Sequence, residues 1–300
     1  VKLIWVTDSH FQLDVPAFRR PFEQYLVEVA AERPDAVLLG GDLCTRTSLG
    51  RFLKAFRDIV RVPTYFILGN HEHLGALIGD VRTQIEDLVV NRKQGLVWLS
   101  HASEPAWLAD GVALIGTGSW GDARAGNLSA HNLRRRGHQL LYDQVEDIRL
   151  LWNSCSSDTV CIARGLQAFL MARGEEAAAH IDRLGRIAAR NAKLVIILLH
   201  APPVEATLRR GKVDPLGLPF FGAKTVGDAL RGLAENYSDV QFNVLAGHTH
   251  HETDVQIHPN LRVFVHDPVG NGVQTRWGVL EVDSRGLIYQ KSEMKNGIKG

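Results

Sequence analysis

The amino-acid sequence predicts an α/β fold, on three observations. Strand, polar loop and helix alternate three times within the first 75 residues, wholly apolar runs of strand length return after residue 193, and most of these runs break at a cluster of Asp, Asn, Gly or His. Such alternation is the pattern of a sheet covered by helices. In open α/β sheets the loops that follow the strands form the ligand-binding edge.

Residues 2–6 (KLIWV) form a buried strand that ends in the loop TDSH. Residues 16–33 then set Phe18, Phe22, Leu26 and Val29 at helical intervals, and residues 36–39 (AVLL) make a second strand stopped by GGD. Phe52, Ala55, Phe56 and Ile59 share a helical face before TYFIL, which runs into GNHEH. Residues 97–99 and 112–115 are further strands, the second followed by GTGSWGD at 116–122.

From residue 123 to 192 the character changes. Leu140, Leu141, Val145, Ile148 and Leu151, and later Ala177, Ile181, Leu184 and Ala188, keep helical spacing. This stretch is read as a helical insertion, either a cap or, as amphipathic stripes more often are, helices covering a sheet face. Residues 194–199 (LVIILL) end in HAPP, residues 240–245 end in AGHTHH, and residues 263–265 and 277–282 are closing strands, with DSRG as a hairpin turn. Without a repeat or a low-complexity linker, the simplest organisation is a single domain over residues 1–300 with the insertion at 123–192.

Composition narrows the function classes. With 300 residues and 45% hydrophobic content the chain buries a large core, which excludes disorder. A balance of 34 basic and 33 acidic residues gives no global attraction to polyanions, so nucleic acid is not favoured as a partner. Cys44, Cys155 and Cys161 are odd in number and form no CxxC pair, which argues against a disulfide framework and for packed thiols in a reducing compartment. The apolar runs are too short to span a bilayer and no signal sequence opens the chain, so the expected location is cytoplasmic. The chain opens on a valine already inside a strand-like run, which leaves room for a leader removed earlier.

Five polar clusters stand directly after apolar runs: DSH (Asp8, His10), GD (Asp42), GNHE (Asn70, His71, Glu72), His200, and GHTH (His248, His250). Each alone is commonplace, since a GD is often a turn and a histidine at a strand end is often structural. Together they place oxygen and nitrogen donors at one kind of position. Two-metal phosphoester hydrolysis needs cations roughly 3.5 to 4 Å apart, and hence a bridging ligand. Asp42 is the bridging candidate. Without cysteine, the donor set suits Mn²⁺, Fe, Zn²⁺, Co²⁺ or Ni²⁺.

The order of these clusters, DxH, GD, GNH with a following acid, a lone His and GHxH, resembles the calcineurin-like metallophosphoesterase superfamily from Asp8 to His250. The resemblance implies a four-layer α/β/β/α sandwich of two mixed β-sheets flanked by helices. It further implies two metal ions, with Mn or Fe favoured, one held by Asp8, His10 and His250, the other by Asn70, His200 and His248, and Asp42 shared. His71 is implied as the catalytic group, and Asn70 and His71 as substrate contacts. The implied reaction is attack of a two-metal-activated water or hydroxide on the phosphomonoester or phosphodiester of a small soluble substrate. Glu72 stands where many members have Asp, and its expected role is to stabilise the loop.

Other features carry less. Trp120 within GTGSWGD either walls the pocket or packs in the core, and Arg134 to Arg136 with His138, and Arg209, Arg210 and Lys212, are more often solvated faces than anion contacts. His251 is read as a neighbour that extends GHTH, and His258 and His266 as structural or surface residues. Two competing readings are a nuclease, which needs a basic groove, and a non-catalytic scaffold, which is expected to have lost site residues.

Overall fold

Strands that are apolar on both faces occupy the middle of two six-stranded sheets, because only there are both faces covered. The computed structural model describes residues 1–90, 95–126, 128–129, 145–156, 158–203, 217–267, 269–270, 273–274, 276–283 and 285–293. The first sheet contains β1 (Lys2–Val6), β2 (Ala36–Gly40), β3 (Thr64–Ile67) and β4 (Leu96–Trp98), which run parallel, followed on the other side of β1 by antiparallel β13 (Arg276–Asp283) and β14 (Gly286–Glu293). The second is ordered β5 (Ala106–Ala109), β6 (Val112–Thr117), β7 (Leu194–Leu199), β8 (Gln241–Ala246), β10 (Leu261–Val265), β9 (Thr253–His258), with antiparallel strands only at its edges. A small ribbon pairs β11 (Val269–Gly270) with β12 (Val273–Gln274). Asp283 pairs with Gly286, so β13 and β14 form a hairpin at DSRG.

The period of two along each strand builds the layers. Leu3 and Trp5 of β1 point into the inter-sheet core, where Ile196, Leu198 and Phe264 meet them. Ile4 and Val6 point the other way, onto Phe22, Leu26 and Val29 of α1 (Arg19–Ala31) and Phe52 of α2 (Leu49–Ala55). On the outer face of the second sheet, Val195 and Ile197 pack with helices α5 (Thr159–Ala189) and α6 (Lys224–Asn236) through Ile181, Leu184, Val226 and Leu230. The result is the four-layer α/β/β/α sandwich. Helix α3 (Ile78–Val90) follows the GNHEH loop, and α4 (Glu146–Ser154) opens the described part of the insertion.

The described helices of the insertion pack in two places. The C-terminal half of α5 is a sheet-covering helix, whereas Leu166 and Leu170 in its N-terminal half join Ile148, Trp120 and Phe220 in a separate apolar cluster beside the strand ends. Arg134 to Arg136, His138, Leu140 and Leu141, like Arg209, Arg210 and Lys212, lie outside the described residues.

The cysteine expectation fails for two of three. Cys44 is a free buried thiol, but Cys155 and Cys161 form a disulfide. The turn between α4 and α5, where Asp158 caps α5 through the Val160 N–H, brings their Cα atoms to 5.6 Å, within bridging reach. Residue spacing alone does not disclose that approach. No helix among the described residues is long and apolar enough to cross a membrane.

Candidate metal centre

All seven predicted donors stand in loops at the carboxyl ends of strands: Asp8 and His10 after β1, Asp42 after β2, Asn70 after β3, His200 after β7, and His248 and His250 after β8. These strands are drawn from both sheets, so the donors meet where the carboxyl ends come together. Their backbones are unusual. Of nine described non-glycine residues with positive φ, five are Asp8, His10, Asp42, His248 and His250, with φ between 44° and 66°. That conformation costs energy for any residue with a Cβ, and it persists where the surroundings over-determine it, typically at functional sites. The cradle also needs a glycine: a Cβ on Gly247 would run into the Asp8 carboxylate and Thr7 Oγ1.

The donor atoms fall into three overlapping groups, each with its atoms within 4.8 Å of one another: Asp8, His10 and His250; Asp42, His200 and His248; and His10, Asp42 and His71. Within the first, His250 Nε2 lies 3.4 Å from Asp8 Oδ1 and 3.3 Å from His10 Nε2. Within the second, His200 Nε2 lies 3.3 Å from Asp42 Oδ2 and 3.2 Å from Asn70 Oδ1. Asp42 Oδ2 is also 3.7 Å from His71 Nε2 and 4.0 Å from His10 Nε2, so this carboxylate faces both sides of the cluster.

Neighbouring carbonyls and N–H groups hold the rings and carboxylates in place, as outer partners do in metal sites. His200 Nδ1 bonds the Gly40 carbonyl at 3.0 Å and His248 Nε2 bonds the Phe220 carbonyl at 3.0 Å, so His200 Nε2 and His248 Nδ1 are the ring nitrogens that a metal ion would take. Asp8 accepts from Thr7 Oγ1 and from the His248 N–H. Glu72 is wholly buried and accepts four backbone N–H bonds, from Asp42, Leu43, Cys44 and Gly69, tying the second strand-end loop to the third as expected of a loop anchor.

Buried Asp8 and Asp42 lie together, and buried charge requires a counter-charge. Burial alone would raise both carboxyls. For Asp42 the charge of His200, its hydrogen bond, and then His71 and His10 overcome burial and hold it well below the usual range. For Asp8 burial is likewise opposed, by the bond from His250 and the field of His200, and its carboxyl is lowered. Correspondingly, His200 is pushed up to about 9 against its own burial by Asp42, and His250 is raised by its bond to Asp8. His10 and His248 are instead pushed down to about 4 by burial, in the neutral form that a ligand requires. For Glu72, burial and then the Asp42 charge raise the carboxyl to about 7, opposed by the bond from Gly69. The two buried carboxylates and the lone pairs turned toward them thus fit a pair of cations.

An open groove of about 550 Å³ leads to the cluster past His10, His71 and His250. Its outer wall is Gln12, Thr45, Arg46 and Thr47, which the sequence reading did not single out, with Leu74 and Gly75 opposite. Residues 116–122 are not among the groove's walls. Trp120 is buried and edges onto His73, while Asp122 is buried and caps α6 by accepting from the Thr225 N–H and Oγ1. His251, His258 and His266 bond Thr249, Asn260 and Tyr289, as structural residues do.

A family model described as calcineurin-like phosphoesterase matches residues 1–252, a span that contains every donor. The chain belongs to the calcineurin-like phosphoesterase family. No curated protein matches it by sequence. Among solved structures of this fold it is similar to the phosphopantetheinyl hydrolase PptH of Mycobacterium tuberculosis, at 14% identity and TM-score 0.59, covering 90% of both chains. It is also similar to a dimetal phosphatase of Danio rerio, at 13% identity and TM-score 0.57, over 97% of this chain and 96% of the other. A 5'-nucleotidase of Candida albicans shares 12% identity at TM-score 0.51, over 97% of this chain and 51% of that one. The family fold and the overlapping candidate metal sites support a binuclear-metal hydrolase of the phosphoesterase type.

Proposed function

We propose that this protein hydrolyses the phosphomonoester or phosphodiester bond of a small phosphorylated substrate at two metal ions, with Mn or Fe the favoured pair. The observation that carries this reading is the meeting of two buried carboxylates with four imidazoles and a carboxamide at strand ends, five of the seven held in left-handed backbone. Asp8, His10 and His250 hold one ion, Asn70, His200 and His248 the other, and Asp42 serves both. When bound, the ions neutralise phosphate charge and lower the pKa of the attacking water. Asn70 and His71 contact the phosphate. His71 is a third exposed at the groove, and its N–H to Asp42 Oδ1, at 2.8 Å, fixes its backbone. We assign it as the group that protonates the departing alkoxide rather than as a third-group ligand. Arg46 on the outer wall is placed to meet a second anionic group of the substrate.

The nuclease reading gains nothing from this groove, which offers one arginine and no lysine among its described walls. A non-catalytic scaffold is expected to have lost donors, and none is lost here. The cytoplasmic location drawn from cysteine usage loses that argument with the pairing of Cys155 and Cys161, and forms no part of the proposal. Bis(p-nitrophenyl) phosphate and p-nitrophenyl phosphate, offered with and without Mn²⁺, are the direct test. Metal-dependent release of p-nitrophenol from at least one is expected. Failure on both with Mn²⁺, Fe, Zn²⁺, Co²⁺ and Ni²⁺ in turn would overturn the assignment.

A further inference from the structure

Behind the turn that carries His71 lies a second cavity, of about 140 Å³, that shares no lining residue with the groove. It lies between α3, α5 and the ends of β4 and β6. Two of its wall residues present an unmet need. His73 and Trp98 are each only 9% exposed, and His73 Nδ1 and Trp98 Nε1 are buried with no hydrogen-bond partner among the described residues. Buried polar atoms of this kind are rare in native structures because each costs the desolvation of a group that gains nothing in return. An indole N–H can only donate. The partner it lacks is therefore an acceptor, and Trp98 is one of the residues that line the cavity.

The charges of the same wall say which acceptor. Arg82 of α3 and Arg173 of α5 both converge on Glu176, at 3.1 and 2.6 Å, and all three line the cavity. Two guanidinium groups against one carboxylate leave a net positive charge. Both arginines are partly exposed, at 41% and 33%, whereas Trp98 and His73 are buried. Ser100 Oγ, another wall atom, already accepts from the Gly118 N–H, so its own hydrogen is free to donate. Donors with a surplus of one positive charge match a small oxyanion.

We propose that this chamber is a second binding site, for a small oxyanion, separate from the metal centre. A carboxylate and a phosphate share that chemistry, and the two are separated by experiment. The anion's oxygens take the Trp98 N–H and the Ser100 hydroxyl, and its charge is met by Arg82 and Arg173. His73 belongs to the same helical turn as His71, residues His71–His73, so an occupant presses on the element that presents His71 to the groove. The inference does not depend on the phosphoesterase reading, since none of the wall residues is a candidate metal donor.

The test is calorimetric titration of the metal-loaded full chain with acetate and, separately, inorganic phosphate, on the natural sequence and on Trp98→Phe and Arg173→Gln. Phosphate is expected to fill two classes of site, of which each substitution weakens one at least tenfold and leaves the other unchanged. Acetate saturating a site that is weakened in the same way identifies a carboxylate as the better occupant. Arg173 is a partly exposed residue on the outside of α5, so that variant keeps the test open if Trp98→Phe fails to fold. Titrations with both anions that are indifferent to both substitutions, or a crystal grown in either anion that shows only water in the chamber, would overturn the proposal.

Discussion

On one side of the His71–His73 turn, the groove reaches side chains that satisfy one another; on the other, the chamber wall includes two buried nitrogens that lack partners. The metal-centre residues contribute no unpartnered buried polar side-chain atom, although two carboxylates are wholly or nearly enclosed there. Their cost appears in the backbone instead, in five left-handed non-glycine residues. The chamber's described wall has no such residue, yet it holds two unmet nitrogens. The strained backbone belongs to the side whose groups satisfy one another, and the two unmet nitrogens to the side where we propose a ligand.

Substitutions on the groove side sharpen this contrast, and His71→Ala is expected to have the larger effect. Loss of a positioned proton donor lowers turnover by about 10²- to 10⁴-fold, while metal content, read by plasma mass spectrometry, stays near that of the natural chain. A variant that loses both metals would make His71 a ligand, in line with the third donor group. Glu72→Gln has a smaller effect. An amide turns an N–H₂ toward two of the four backbone N–H groups that the carboxylate accepts, so the Asp42 loop loosens. Metal affinity is expected to fall by roughly 10- to 100-fold, as for other outer partners of ligands. Titration of metal-free protein with Mn²⁺ reads it, and an unchanged affinity would remove Glu72 from the support of the site.

The same contrast marks what could be read from the sequence. The donors were legible because each follows an apolar run, and β1, β2, β7 and β8 were legible because they are buried on both faces. The edge strand β5 was not, for its residues are half-exposed and its pattern faint. Helix α6 starts at Ala223 with no side-chain cap of its own, since Asp122, about a hundred residues earlier, supplies it. The chamber was invisible for a related reason. Its wall joins residues from 68 to 180, and an unmet hydrogen bond exists only once a fold has removed the water. The expectation that residues 116–122 shape the substrate pocket gave way similarly: Gly118 and Trp120 wall the chamber, and the groove is shaped by Gln12 and residues 45–47.

The central claim is that one carboxylate serves two ions, and electron paramagnetic resonance of the Mn²⁺-loaded protein tests it most directly, alongside a metal count. The account predicts two Mn²⁺ per chain with an exchange-coupled spectrum, and in Asp42→Ala the loss of both that spectrum and hydrolysis. A single ion per chain, two uncoupled ions, or an active Asp42→Ala enzyme would contradict it.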